Sequence, residues 1–432
     1  MSNFTIDPYT PFPAAAAGGF YVGSATVAAD TSGGGSQVIT ITWSDGGSGR
    51  TVQWFEIDTS LAVTADTPVD HTSMSRGASD GTANWVMGNY AKDGQTQSTG
   101  GHAKHYSSDA NCLMLFDDES TVGALATCSS VGSDQITLTW SNYPTTASRI
   151  VVRAYAGADE FYVGPFDPAT ADTGTASYTG FSAPANYVYG VQNYTSPWLE
   201  TIATEYDDNV GYYSYDGSTA RQRYHASHHR SLQSSSQRTQ IWNSGAFMGE
   251  SNRQAVQSQY VTLSSHANGF TGTTTGTLND FEIGVCAAVL PAGQECYVAD
   301  FVLPTSTGDD VVTTTGVSWT AQSIACSSHL SDNVSNDDIT GNDDADGSCT
   351  GQQVGTATEA CINVRVQDAV GTSDTGCETD DLLINLSYGA STEAAKATLS
   401  SFGAGQFTVN HSVVYTAGPG PGRCIYCIFE EV

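Results

Sequence analysis

The most acid-dense stretch of the chain, residues 332–353, carries a spacing of oxygen-bearing side chains that calcium could use. Calcium takes about six to eight oxygen ligands, and alternate side chains on a tight glycine-assisted turn can converge on one ion. The candidate ligands are Asn342, Asp344, Asp346 and Gln353. Gln353 replaces the usual bidentate glutamate and no flanking helices are evident. We therefore favour a solvated acidic loop and keep a structural calcium site as the alternative.

A basic island within the segment RQRYHASHHR is a candidate metal or partner site. It contains Arg221, Arg223, His225, His228, His229 and Arg230. Three imidazoles can bind zinc, but the neighbouring arginines would repel a dication. On a helical turn all three histidines share a face, whereas on a strand only His225 and His229 do. We predict a contact surface for an acidic partner, supplied by another subunit or by another part of this chain.

The ten cysteines are unevenly distributed, because all but two of them fall between Cys286 and Cys427. No export signal is evident, so we expect synthesis in a reducing cytoplasm and buried free thiols. Four cysteines could still form disulfides after release into an oxidising medium. These are Cys326, Cys349, Cys361 and Cys377.

Recognisable catalytic motifs are missing from the sequence. Cys424 and Cys427 form a C-x-x-C motif in the apolar segment RCIYCIF, but residues three apart on a strand face opposite sides. No G-x-S-x-G, H-E-x-x-H, phosphate-binding or dinucleotide-binding motif occurs. We therefore predict a protein that is not an enzyme and that requires no cofactor.

Four short motifs recur three times in the same order along the chain. An opening segment beginning Tyr-Val starts at Tyr21, Tyr162 and Tyr297. An Asp-Gly turn starts at Asp80, Asp216 and Asp346. A Ser-Ser pair starts at Ser129, Ser264 and Ser400, and an apolar closing segment starts at Arg149, Glu282 and Arg423. Such periodic self-similarity indicates internal repeats.

The repeats have the pattern of short strands separated by turns. Segments such as Gln37–Trp43 alternate β-branched and polar residues, and glycine-containing turns follow them. Only Glu393–Leu399 could form a helix, of one or two turns at most. The prediction is an all-β chain with three tandem homologous β-sandwich domains, jelly-roll-like, at 21–161, 162–296 and 297–432. A linear stalk and a pseudo-threefold ring that mimics a homotrimer both remain open.

Charge is the most unusual bulk property of the chain. It has 45 Asp and Glu against 14 Lys and Arg, a formal net charge of −31. Such a surface repels phosphate backbones, so nucleic-acid binding is disfavoured. Abundant Asp and Thr with very few Lys resemble the composition of proteins from salt-loving organisms.

No apolar run is long enough for a transmembrane helix. Residues 1–20 read as an extended, Pro-spaced arm, which is either a loose tail or, as we favour, a segment that docks on a neighbouring protein.

The segment ASDGTANW at residues 78–85, followed by CLMLFDD at 112–118, resembles a family of tandem β-repeat proteins encoded by tailed viruses. The resemblance covers residues 21–432 and carries no catalytic residues. It implies a virion structural protein on the particle exterior, as a capsid decoration or a tail-attached fibre or receptor-binding component, assembled in the host cytoplasm. Expected partners are other virion proteins, reached through the arm, and a host-surface glycan or protein, with a homo-oligomeric or pseudo-threefold assembly. The alternative is a secreted or surface protein that binds or degrades carbohydrate.

Overall fold

The computed structural model describes most of the chain. The described residues are 19–33, 35–62, 67, 69–94, 103–118, 120–146, 148–168, 174–192, 203–204, 206–230, 237–252, 256–276, 283–330, 339–341, 347–355, 359–366, 375–388, 392–414 and 422–430. All regular structure in these ranges is β, and they contain no helix that could cross a membrane. The all-β prediction is confirmed, and Glu393–Leu399 lies within a strand rather than a helix.

The strands fall into three consecutive sets. The first strand set contains β1 (Tyr21–Ala28), β2 (Ser36–Thr40), β3 (Thr42–Trp43), β4 (Trp54–Ser60), β5 (Val69–Asp70), β6 (Thr72–Ser79), β7 (Asn84–Ala91), β8 (Ala103–Ser108), β9 (Leu113–Asp118), β10 (Thr121–Gly132), β11 (Gln135–Asn142) and β12 (Arg149–Ala156). The second strand set contains β13 (Glu160–Phe166), β14 (Thr175–Tyr178), β15 (Tyr187–Gln192), β16 (Ala203–Thr204), β17 (Tyr206–Tyr215), β18 (Ala220–Arg230), β19 (Gln237–Asn243), β20 (Met248–Asn252), β21 (Val256–His266), β22 (Gly269–Thr275) and β23 (Ile283–Val289). The third strand set contains β24 (Cys296–Val302), β25 (Gly308–Thr313), β26 (Ser323–His329), β27 (Ile339–Gly341), β28 (Gly347–Val354), β29 (Ala360–Val366), β30 (Thr375–Asp380), β31 (Ile384–Tyr388), β32 (Thr392–Gly403), β33 (Gln406–Val413) and β34 (Arg423–Phe429).

Each strand set forms a larger and a smaller antiparallel sheet with the same internal order. In the first set the larger sheet runs β8-β7-β6-β4-β12-β1 and the smaller runs β2-β11-β10-β9. The second set repeats this as β19-β18-β17-β15-β23-β13 and β14-β22-β21-β20. The third repeats it as β30-β29-β28-β26-β34-β24 and β25-β33-β32-β31. The opening strand therefore pairs with the closing strand of its own set each time, while the middle strands pair with their neighbours in sequence.

Burial patterns show which faces of the sheets are covered. In the smaller sheet of the first set, β11 alternates buried Ile136, Leu138 and Trp140 with more exposed neighbours, so one face of this sheet is solvated. In the larger sheet, every residue of β12 is buried, so both faces are covered. One face of each larger sheet packs on its smaller sheet, and the clusters between them contain residues such as Ile57, Phe270 and Ile384.

The opposite faces of the three larger sheets pack against one another in a shared core. This core draws buried residues from all three sets, including Trp85 of the first, Tyr187 of the second and Phe429 of the third. Phe20, which precedes β1, is fully buried in the same core, and its N–H donates to Gln294 Oε1 at 2.5 Å. The rest of the predicted arm, residues 1–18, lies outside the described residues.

Three short strands join the sets in a cycle. Each one lies between the second and third long strands of its own larger sheet in sequence, but it pairs with the edge of another set's larger sheet. β16 of the second set adds to β8 of the first, and β27 of the third adds to β19 of the second. β5 of the first set adds to β30 of the third. The last pairing connects the two ends of the series, so the arrangement is a closed ring rather than a linear stalk.

Two details of the predicted repeat pattern are wrong. The Asp-Gly turns at Asp80 and Asp216 close the hairpins β6–β7 and β17–β18. In the third set, Gly347 begins β28, so the motif starting at Asp346 precedes the equivalent strand instead of following it. The predicted boundaries at 161/162 and 296/297 also fall inside β13 and β24, which begin at Glu160 and Cys296.

Candidate functional site

The predicted basic island lies on one strand, β18, at the seam between the second and third strand sets. Arg221, Arg223 and His225 alternate along this strand, which places them on the same face. Arg221 pairs with Asp216 at 2.7 Å, and its guanidinium carbon lies 4.8 Å from the ring centroid of Tyr297 in the third set. Arg221 therefore makes its contacts inside the chain.

Arg223 forms a salt bridge across this seam. Its Nε lies 2.5 Å from Asp300 Oδ1 in β24, and Asp300 Oδ2 also pairs with Arg423 of β34. One carboxylate of the third set thus neutralises two guanidinium groups, one from each side of the seam. Arg223 of the predicted basic island therefore contacts a carboxylate from another part of the chain.

His225 completes the contact face of β18. Its Nδ1 lies 2.9 Å from Ser327 Oγ, and its ring stacks on His329 with centroids 4.3 Å apart and an angle of 10° between planes. Both rings are buried. His228, His229 and Arg230 continue the same strand, paired with β17 and β19. On a strand the three histidines do not share a face, and no group of metal-ligating residues occurs in the part of the chain that is described.

The seam between the first and second sets uses equivalent elements. Trp85 of β7 donates from Nε1 to the carbonyl of Val285 in β23 at 3.1 Å. Gly284 lies beneath the indole, and a side chain at that position would collide with it. Arg76 of β6 pairs with the buried Asp208 of β17. In both seams the fourth strand of one larger sheet therefore packs against the opening and closing strands of the next.

The seam between the third and first sets closes the ring. The Gln352 amide donates to the carbonyl of Val152 at 2.9 Å, and Thr72 Oγ1 donates to that of Gly376 at 2.9 Å. Arg149 pairs with Asp381. A linear chain of domains would make no such contact between its first and last members.

A buried carboxylate lies inside the shared core. Glu56 pairs with Arg153 and accepts hydrogen bonds from Tyr187 at 2.8 Å and Tyr155 at 3.2 Å. Burial raises the pKa of Glu56, and the positive charge of Arg153 opposes that rise. The Glu56 carboxylate links the first and second strand sets through these hydrogen bonds. Because it is buried in the shared core, it holds strands in position rather than meeting a ligand.

Most of the predicted calcium loop falls outside the part of the chain that the structure describes. Asn342, Asp344 and Asp346 lie outside the described residues. Gln353 lies in β28, where it pairs with Ile324. At about 3.3 Å of rise per residue, an extended strand places Gln353 about 20 Å from Gly347. Gln353 therefore lies far along the strand from Gly347, and the calcium site stays a prediction.

The cysteines form no disulfide, and all ten are buried. Cys424 and Cys427 point into different clusters on opposite faces of β34. Burial raises the pKa of both thiols, which disfavours the reactive thiolate. The C-x-x-C motif is therefore part of two apolar cores.

Sequence reasoning missed the charged residues that lie within the seams and cores. Arg149 and Arg153 occur within an apolar closing segment, RIVVRAY, and Glu56 lies within VQWFEI. The available signal was the presence of charged residues inside apolar strand patterns. Such residues are expected to be buried, and a buried charge needs an ion-pair or hydrogen-bond partner. Nothing in the sequence paired Glu56 with Arg153.

No protein-family model, curated protein or solved structure matches the chain. The resemblance to repeat proteins of tailed viruses therefore remains a prediction.

Proposed function

We propose that the chain is a non-enzymatic structural protein of a tailed-virus particle, exposed on the particle exterior as a capsid decoration or a tail-attached component. We further propose that its strand sets are three tandem homologous β-sandwich domains, jelly-roll-like in the nesting of their opening and closing strands. The observation that carries the proposal is the cyclic pairing of β5, β16 and β27 with the neighbouring sets. It makes one chain equivalent to a closed trimer, a symmetric building block of the kind that particle surfaces use.

The distribution of charge supports an exterior position. The net charge is −31, yet Arg76, Arg153 and Arg223 are paired with carboxylates inside the seams and core. These three arginines are therefore neutralised by internal contacts, and we assign the acidic excess of the chain to its solvated faces. An acidic, well-hydrated exterior keeps particles soluble and apart in saline medium.

The test is the composition of purified particles. We expect the protein to co-purify through a density gradient with virions that carry its gene, in a fixed ratio to the main shell protein by quantitative mass spectrometry. Immunogold labelling then distinguishes capsid from tail. Presence in the infected-cell lysate together with absence from purified virions contradicts the proposal.

Attachment to the particle is assigned to the N-terminal arm. Phe20 anchors its end in the shared core by stacking on Tyr155 with ring centroids 5.9 Å apart. Deletion of residues 2–18 keeps this anchor, so we expect unchanged thermal stability with loss of particle association. A deletion that leaves association intact refutes the role of the arm.

A carbohydrate-binding role is the second candidate, and one observation favours it. Tyr162 and Tyr178, both half-buried, pack with ring centroids 4.3 Å apart beside Phe181. A partly exposed tyrosine ring offers an apolar face beside a polar hydroxyl, which suits contact with a ligand that is itself part apolar and part polar, such as a sugar. A glycan array with the purified chain tests this role, and Tyr178→Ala should abolish any binding that depends on the pair.

A further inference from the structure

A buried cluster of polar side chains lies where β30, β31 and β32 of the third strand set meet. Lys396 of β32, Asp380 of β30 and Asn385 of β31 have exposed fractions of 7%, 7% and 0%. Lys396 Nζ lies 3.6 Å from Asp380 Oδ2, and Asn385 Nδ2 donates to the same oxygen at 3.3 Å. Asn385 and Lys396 are directly opposite each other in the β31–β32 pairing. One carboxylate oxygen therefore contacts both an amine and a carboxamide.

The equivalent positions of the other two strand sets are apolar or lack a side chain. Met114 lies opposite Leu125 in the first set, within a cluster that includes Tyr90. Gly249 lies opposite Tyr260 in the second set. The same place in this fold therefore does not require polar residues.

The third set pays a cost for burying polar groups here, because a charged amine and a carboxamide lose their hydration. The ion pair and the hydrogen bond within the cluster offset only part of this cost. Asn385 Oδ1, although buried, accepts no hydrogen bond from the described residues. An amide carbonyl without a hydrogen-bond partner, beside a lysine and an acid, points to chemistry rather than to packing.

We propose that Lys396 and Asn385 join in an intramolecular isopeptide bond and that Asp380 transfers the protons. In the buried pair, a proton passes from the ammonium of Lys396 to the carboxylate of Asp380, because burial favours the neutral forms of both. The neutral Nζ then attacks Asn385 Cγ. Asp380 gives its proton to the departing Nδ2 and takes up the proton that the attacking Nζ must lose, the Cγ–Nδ2 bond breaks, and ammonia leaves.

The step balances without any co-reactant. One amine and one primary amide give one secondary amide and one ammonia, and nothing is oxidised or reduced. The contribution of the fold is proximity: the opposed strands hold nucleophile and carbonyl side by side, and the shared carboxylate contacts both. The product would fasten β31, the edge strand of the smaller sheet, to β32 covalently. This inference is independent of the proposed function.

The decisive measurement is the intact mass of the full-length wild-type chain, denatured and reduced. We expect a mass lower than that of the sequence by one ammonia. Lys396→Arg should restore the full mass, because arginine keeps the positive charge while its guanidinium stays protonated and is not a nucleophile. Lys92→Arg is the matched control at another lysine, and it should keep the loss.

Peptide mapping locates the bond. A glutamate-specific protease cuts after Glu393, so residues 385 and 396 separate unless an amide joins them. A branched peptide linking these residues in the wild type supports the proposal, and Asp380→Asn should lose it while retaining the β circular-dichroism spectrum. A succinimide at Asn268 would also lose ammonia, but that loss would persist in Lys396→Arg.

Wild-type protein of full mass, with two separate peptides, would show that the cluster is only a buried ion pair and would overturn the inference. These wild-type measurements decide the question even if the Lys396→Arg or Asp380→Asn chain fails to fold.

Discussion

At the scale of single residues, the acidic chain uses its few arginines where strand sets meet. Asp300 contacts Arg223 from one side of a seam and Arg423 from the other. Arg76 and Asp208 form a buried pair across another seam. Removing one partner of such a pair leaves a charge with no nearby counterion, and this costs more than the pair itself contributes. The seams are therefore sensitive to single substitutions.

Asp300→Asn removes the carboxylate that separates the two guanidinium groups of Arg223 and Arg423. We expect a loss of about 3 kcal/mol in the free energy of unfolding, measured by urea denaturation. Asp109→Asn, at an exposed position, is the control and should stay within about 0.5 kcal/mol of wild type. Equal effects from the two substitutions would contradict a structural role for the Asp300 contact.

Glu359 makes a residue-level prediction about pH. Burial raises its pKa to about 7, although its side chain accepts a hydrogen bond from the Leu399 N–H. Because the folded pKa lies above the unfolded value, this group favours folding fully below about pH 4.5, and that contribution is lost as pH rises through about 7.

Glu359→Gln keeps the acceptor but removes the titration. We expect the variant to be more stable than wild type at pH 8, by on the order of 2 kcal/mol, with a smaller difference at pH 5. Thermal melts at both pH values measure this. A difference between the chains that does not change with pH would show that Glu359 does not titrate in this range.

At the scale of elements, the third long strand of each larger sheet crosses close beneath the smaller sheet. Gly77, Gly211 and Gly351 occupy equivalent places on β6, β17 and β28. A Cβ at each would collide with a backbone carbonyl oxygen of the facing segment, at Cys112, Phe247 and Leu383. Backbone atoms cannot move aside as side chains do, so glycine is required for the two sheets to approach.

Gly351→Ala should therefore destabilise the fold by about 3 kcal/mol, since overpacking against backbone forces the sheets apart. Gly132→Ala is the matched control, because a Cβ there meets only ordinary contacts at 3.5 Å and beyond. Urea denaturation of both variants measures the difference. A neutral Gly351→Ala would mean that the sheets adjust without cost.

At the scale of the whole molecule, the shared core and the cyclic strand pairing make the three sets depend on one another. Trp85, Tyr187 and Phe429 lie in one cluster although they belong to different sets. Each larger sheet also has its outer edge extended by a strand from a neighbouring set. A set that unfolded alone would expose that core and free an edge on its neighbour.

We therefore expect the chain to unfold in one cooperative transition. Scanning calorimetry should give a calorimetric enthalpy equal to the van't Hoff enthalpy. Val298→Ala, which makes a cavity in the shared core, should lower the midpoint of that single transition without splitting it. Two or three resolved transitions in the wild type would contradict the closed ring.

The amino-acid sequence alone determined the all-β class and the recurrence of Tyr-Val openings and Ser-Ser pairs. These features follow from local alternation and turn residues, and they need no distant partner. The alternating segment Gln37–Trp43 is divided between β2 and β3, which pair in different sheets. The sequence was misleading at Asp346, where the Asp-Gly motif looked equivalent to those at Asp80 and Asp216, because an Asp-Gly pair suits several kinds of turn. The motif alone does not say which strands the turn joins.

Only the tertiary structure decided how the sets meet. Strands as short as Val69–Asp70 have no periodicity of their own, and they become strands because the edge of β30 is there to pair with them. Lys396, Asn385 and Asp380 were unremarkable in sequence, since their chemistry depends on which residues β30, β31 and β32 place opposite one another. Long-range pairing creates these sites, and no local pattern records it.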